Sequence, residues 1–223
     1  MYSLTHSFFR VNCKNRLAII ALIGLLALSG CAALNKANET KRLRKIDRSF
    51  TSGEVDHARR EAEKFVRDYP RSDQGWSLLG WIYLKKDDLK KAEESFDKAL
   101  SINPRWDNAY VGKGVMYRKL GDNAKARESY LKALSISPEN AEAYASLLVI
   151  ELIEGNNKTA VTYGEKAWAL RKDNSLIAAN LSVAYHYVGD YAKRDQFYSE
   201  AKRLGYSDLA KLQNIFEGKS TLQ

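Results

Sequence analysis

The apolar positions of this chain fall into two regimes. Leu17 to Leu28 is an unbroken apolar run, preceded by Arg10, Lys14 and Arg16, with no acid among the first thirty residues. From residue 39 onward, apolar and polar positions alternate at helical spacing, and the pattern returns every 34 residues. Trp76, Leu79, Gly80, Trp81 and Tyr83, followed by Ala92, Phe96, Ala99 and Pro104, set the phase. One period on stand Tyr110, Gly114, Tyr117, Ala126, Tyr130, Ala133 and Pro138; the next two keep Tyr144, Leu147, Ala160 and Ala167, then Leu181, Tyr185, Tyr198 and Ala201. Backwards, Ala58 and Pro70 hold the register, so five units are predicted: 39–72, 73–106, 107–140, 141–174 and 175–208. Each reads as helix A, a tight turn and helix B. Gly53, Asp87, Gly121, Gly155 and Gly189 share the turn position, where a positive φ lets the chain leave helix A. Leu209, Leu212, Ile215 and Phe216 form one more apolar helical face, a lone capping helix within 209–223.

The unit 141–174 departs from its neighbours. It has Leu148 where a small residue is expected, Gly164 where an aromatic is expected and Lys172 in place of the closing proline. We read the first two as exchanged volumes that preserve packing. The first unit carries Arg42, Ser49 and Phe65 at aromatic, aromatic and small positions, as a distorted end repeat would.

Composition narrows the function classes. With 45% apolar and 28% charged residues the chain can bury a core, and only 3 Pro beside 13 Gly exclude collagen-like material. Two Cys, and His6, His57 and His186 far apart, offer no metal cage. There is no Ser/His/Asp or Cys/His constellation, no glycine-rich phosphate loop and no HExxH motif. The sequence therefore predicts no enzyme and no cofactor. The formal charge of +9 would by itself raise nucleic acid or a membrane surface as partners.

Positive residues followed by a twelve-residue apolar run match an export signal and are too short for a comfortable membrane span. The run ends in Leu28-Ser29-Gly30-Cys31, which resembles the lipobox of bacterial lipoprotein precursors. The resemblance implies cleavage of residues 1–30, a lipid on Cys31 and a short tether over 31–38. Ala32 at the next place implies the outer membrane, facing the periplasm. Loss of Arg10, Lys14 and Arg16 would leave 33 basic against 27 acidic residues, or +6. Export would also remove the chain from nucleic acid.

The signature around Trp76, Leu79, Gly80, Tyr83, Ala92, Phe96 and Pro104 resembles the tetratricopeptide repeat. The resemblance implies an all-α fold, a right-handed superhelix in which helix A of every unit faces a concave groove. It places twelve candidate ligand-binding residues there: Trp81, Leu84 and Lys85; Val111, Val115, Arg118 and Lys119; Val149 and Leu152; and Val183, His186 and Tyr187. They make an apolar floor with a basic edge, whereas Trp76, Tyr110 and Tyr144 point between helices. Repeats that grip acidic chaperone tails use Lys, Asn and Arg where this chain has Ser77, Trp81, Val111 and Val115, so that clamp is absent. The expected partner is an apolar peptide or helix of another cell-envelope protein. Small lipoproteins that pilot pilus secretins share this architecture. A membrane-surface structural role would need only the lipid and the basic stretch Lys36, Lys41, Arg42, Arg44, Lys45 and Arg48.

Overall fold

The computed structural model describes residues 35–220. Cys31 and the apolar run before it lie outside them. Among the described residues there are eleven helices and no strand. They are α1 (35–51), α2 (Val55–Asp68), α3 (Asp73–Lys85), α4 (Leu89–Ile102), α5 (Asp107–Lys119), α6 (Asn123–Ile136), α7 (Ala141–Ile153), α8 (Asn157–Leu170), α9 (Ser175–Tyr187), α10 (Tyr191–Arg203) and α11 (Leu209–Phe216). Helices pair as α3 with α4, α5 with α6, α7 with α8 and α9 with α10, and each helix B also meets the next helix A. The odd-numbered helices touch in succession from α3 to α11, giving a superhelix with one face built of helices A. Residues 35–38, within the expected tether, are already helical as part of α1.

Local chemistry sets the boundaries. All five turn residues have positive φ, including Asp87 at 63°, a non-glycine in the left-handed region. Asp88, Asp122 and Asp190 then cap the second helices, each accepting from the backbone N–H three residues on. Close helix approach depends on glycine opposite aromatic rings. A Cβ on Gly80 would stand 2.6 Å from Phe96, and one on Gly114 would stand 2.6 Å from Tyr130. The exchange inferred in the fourth unit is present: Leu148 is fully buried, and a Cβ on Gly164 would meet Leu181 at 2.6 Å and Leu148 at 3.3 Å. The first unit makes the same kind of exchange, with buried Phe65 seated against Gly75. Arg42 lies over the rings of Phe65 and Tyr69 and binds Asp68 at 2.8 Å, a cation doing the covering that an aromatic does elsewhere. In the last unit the buried aromatic is Phe197, stacked on Tyr185 at 5.5 Å; Tyr198, at the expected place, packs on Phe216.

A polar lock recurs between successive units. Tyr83 donates to Glu63 at 2.8 Å, Tyr117 donates to Glu93 at 2.9 Å, and Tyr185 donates to Glu165. Burial raises the Tyr83 hydroxyl to about 12, and its bond to Glu63 adds to the shift. Between the third and fourth units Glu151 takes the tyrosine's place and Arg127 takes that of Glu93, each one period on. They pair at 2.8 Å, with Arg127 also reaching Glu154 and Asn156 donating to Glu151. The contact survives with new chemistry, and the almost fully buried Glu151 has both oxygens bonded.

Candidate protein-binding site

The concave side is formed by α3, α5, α7 and α9, closed at one end by α1 and at the other by α11. Two depressions open on it, and both are bounded by Trp81. One, of about 420 Å³, is lined by Trp81, Val115, Ala145, Val149 and Leu176, with Arg118, Glu142 and Arg171 among its polar walls. The other, of about 470 Å³, lies between α1 and α3 and is lined by Leu43, Phe50, Leu78, Trp81 and Trp106. This surface is concave, mixed in polarity and several residues long, the form of a site for an extended peptide or a helix.

The twelve sequence candidates separate. Trp81, Val115, Arg118 and Val149 line one of the two depressions. Lys85, Lys119 and Tyr187 are exposed but line neither depression, and Lys119 pairs with Asp87 at 2.5 Å. Four others are corrected to the core. Val111 is 1% exposed, packed with Tyr130, Ala143 and Leu147, and Val183 is wholly buried in a cluster with Leu212 and Ile215 of α11. Leu84 and Leu152 are 5% and 6% exposed. The cause is stacking: each helix A turns part of its concave face into the next helix A, and α11 does this to α9. His186 is half-buried beside Tyr187 and Phe216 rather than open on the floor. Burial lowers its pKa, and Arg194 lowers it further.

Trp81 has two duties. Its ring meets Phe96 edge-on at 5.9 Å, and its Nε1 donates to Asn108 at 2.8 Å, so the residue couples units as well as lining the groove. Sequence reasoning left out Arg171, on the loop between α8 and α9 and so outside the repeating helix A positions; it also left out Leu43 and Phe50 of α1, although they stand in register with Val111 and Leu84. Glu142, which is not among the twelve candidates, borders both depressions. Its side chain is exposed, yet burial of its carboxyl among the surrounding groups raises its pKa, and Arg118 opposes this.

Residues 74–105 match the family described as tetratricopeptide repeat, and residues 114–147 match the family described as TPR repeat. The array is built of tetratricopeptide repeats. No curated protein matches the chain by sequence. Solved structures that resemble this tetratricopeptide array include PilF of Pseudomonas aeruginosa, 19% identical with a TM-score of 0.71 over 80% of this chain and 84% of that one. PilW, titled a widely conserved type IV pilus biogenesis factor, is 18% identical with a TM-score of 0.71, covering 82% and 87%. The protein TTC0263 of Thermus thermophilus is 20% identical with a TM-score of 0.64, covering 81% and 98%. At these identities the likeness is one of fold. Tetratricopeptide arrays are scaffolds for protein–protein contact and are typically non-enzymatic adaptors. Among the described residues no helix is long and apolar enough to cross a membrane, and no group of His, Cys, Asp and Glu could hold a metal ion.

Proposed function

We propose that the protein is a lipid-anchored adaptor of the bacterial cell envelope that holds an apolar peptide or helix of another envelope protein in its concave groove. The observation that carries this reading is the open apolar line of Trp81, Val115, Val149 and Leu176 on a face that a solvated helix surface would make polar. Arg118, Arg171 and Glu142 border that line and would fix the register of the bound segment through its charged side chains. The anchor rests on the lipobox ending at Cys31, and Ala32 favours the outer membrane. The fold shared with a type IV pilus biogenesis factor supports a second form of the same role, an assembly factor for a pilus or a secretion pore.

A photo-crosslinking amino acid placed at Val149 or Val115 in the native host tests the groove. One prominent adduct to an envelope protein is expected from these positions and none from Glu128, on the helix B side. Equal labelling from both faces would overturn the groove as the recognition surface. Mass spectrometry of the native protein tests the anchor separately, since an unacylated Cys31 would end that reading.

A further inference from the structure

The structure sorts the six basic residues near the start of α1 into two kinds. Lys36 is paired with Glu39 at 3.2 Å, and Arg42 is consumed by Asp68 and the rings beside it. Lys41, Arg44, Lys45 and Arg48 are all exposed and form no ion pair among the described residues. Their spacing is i, i+3, i+4, i+7, which puts them on one face of the helix over roughly 10 Å. Leu43, Ile46 and Phe50 occupy the opposite face and pack into the first core cluster. The stripe therefore points away from the array, at its N-terminal end, and borders a broad shallow depression of about 1190 Å³ beside Tyr69.

We infer that this face of α1 docks on the anionic headgroups of a phospholipid bilayer, setting the array on the membrane by its first helix. Charge complementarity chooses the occupant: four unneutralised cations in line, without an acid between them on that face, suit a flat anionic surface. Cys31 lies only ten residues before Lys41, so the lipobox that supports the anchor also brings this face to the membrane. Asp47 and Glu39 lie towards the packed side of α1 and leave the stripe clear. With α1 on the surface, the remaining units stack outward and the groove stays open to a partner. The inference shares the membrane with the proposed function, but it needs neither the groove's ligand nor the acyl chain.

The test uses the full chain carrying Cys31→Ser, so that no acyl group contributes, with phosphatidylcholine vesicles made with and without phosphatidylglycerol. Binding to the anionic vesicles should weaken with salt. Replacement of Lys41, Arg44, Lys45 and Arg48 by Gln should lower it at least about tenfold. Binding to neutral vesicles through Leu17–Leu28 should be the same in both chains. Lys132, Lys158, Lys202 and Lys211, replaced together by Gln, remove the same charge elsewhere and should have little effect. Amine-reactive footprinting of the chain with α1 unaltered gives a readout that no folding defect can mimic. Vesicles should protect Lys41 and Lys45 but not Lys132 or Lys202. Equal loss in the two quadruple variants, unprotected Lys41 and Lys45, or preferential binding of an RNA oligonucleotide over anionic vesicles would each overturn the inference. Acylation of Cys31 is measured independently, so failure of the anchor and failure of the stripe are distinguishable.

Discussion

The indole nitrogen of Trp81 donates to Asn108 Oδ1 at 2.8 Å across 27 positions, tying α3 to α5 beneath the groove. Ser77 donates to the same oxygen at 2.8 Å, so one amide oxygen gathers two donors from helix α3. A side chain chosen from sequence as a pure ligand contact is therefore part of the frame.

This changes how the groove should be probed. Trp81→Ala should destabilise the array by about 3 kcal/mol, the low end for a lost aromatic, because the ring is only partly enclosed. Binding loss in that variant would mix stability with recognition. Val115→Ser with Val149→Ser should cost less than about 2 kcal/mol in denaturant unfolding. The same pair should weaken partner capture by at least about 2 kcal/mol if these are interface hot spots. Unchanged affinity in a folded double variant would move the recognition surface off the groove.

Glycine at 164 is required by close packing and at 155 by the backbone. Gly164→Ala should cost about 1–3 kcal/mol, since the new Cβ meets the fully buried Leu181. Gly155, at φ 77°, has open space around it, and Gly155→Ala should cost about 1 kcal/mol through backbone strain alone. Thermal unfolding of the two variants checks this, and Leu181→Val should relieve the first without touching the second.

The exchanged lock of the fourth unit gives a double-mutant cycle. Arg127→Glu faces Glu151 and Glu154 with a like charge and should cost about 3–5 kcal/mol. Adding Glu151→Tyr rebuilds the tyrosine–glutamate pair of the preceding unit and should recover at least half of that loss. Urea unfolding of the four chains measures the coupling, and simple additivity would show that the two places are not one interaction.

His186 supplies a pH dependence with a definite sign. Its folded-state pKa is lowered by burial, so the folded form favours the neutral ring. The stability from that neutral ring is present above the unfolded value of about 6.5 and is lost as pH falls through the lower folded value. NMR titration of His186 should give a midpoint below the ordinary histidine value of about 6.5. His186→Phe should flatten the fall in melting temperature between about pH 6.5 and pH 5. An unaltered slope would assign it to the carboxylates instead. Glu63 and Glu165, held below the usual range by tyrosine and cationic partners, lose their contribution only in more acid solution.

The sequence by itself determined the period, the helix pairs, the turn positions with their positive φ, and the exchange of Leu148 with Gly164. These rest on contacts within a unit or between adjacent units, which recur at a fixed spacing and therefore leave a periodic trace. Tertiary structure decided which concave positions remain open. Val111 and Val183 occupy repeat positions that look available in one unit, but neighbouring helices, and α11 at the end, take up their surface. It also decided that Arg127 and Glu151 replace a tyrosine–glutamate pair, because only packing brings residues 24 positions apart to 2.8 Å. Leu43 and Phe50 of α1 keep the period, in register with Val111 and Leu84, whereas α11 lies outside it, so the surface that Leu212 and Ile215 take from Val183 depends on how the stack terminates in space.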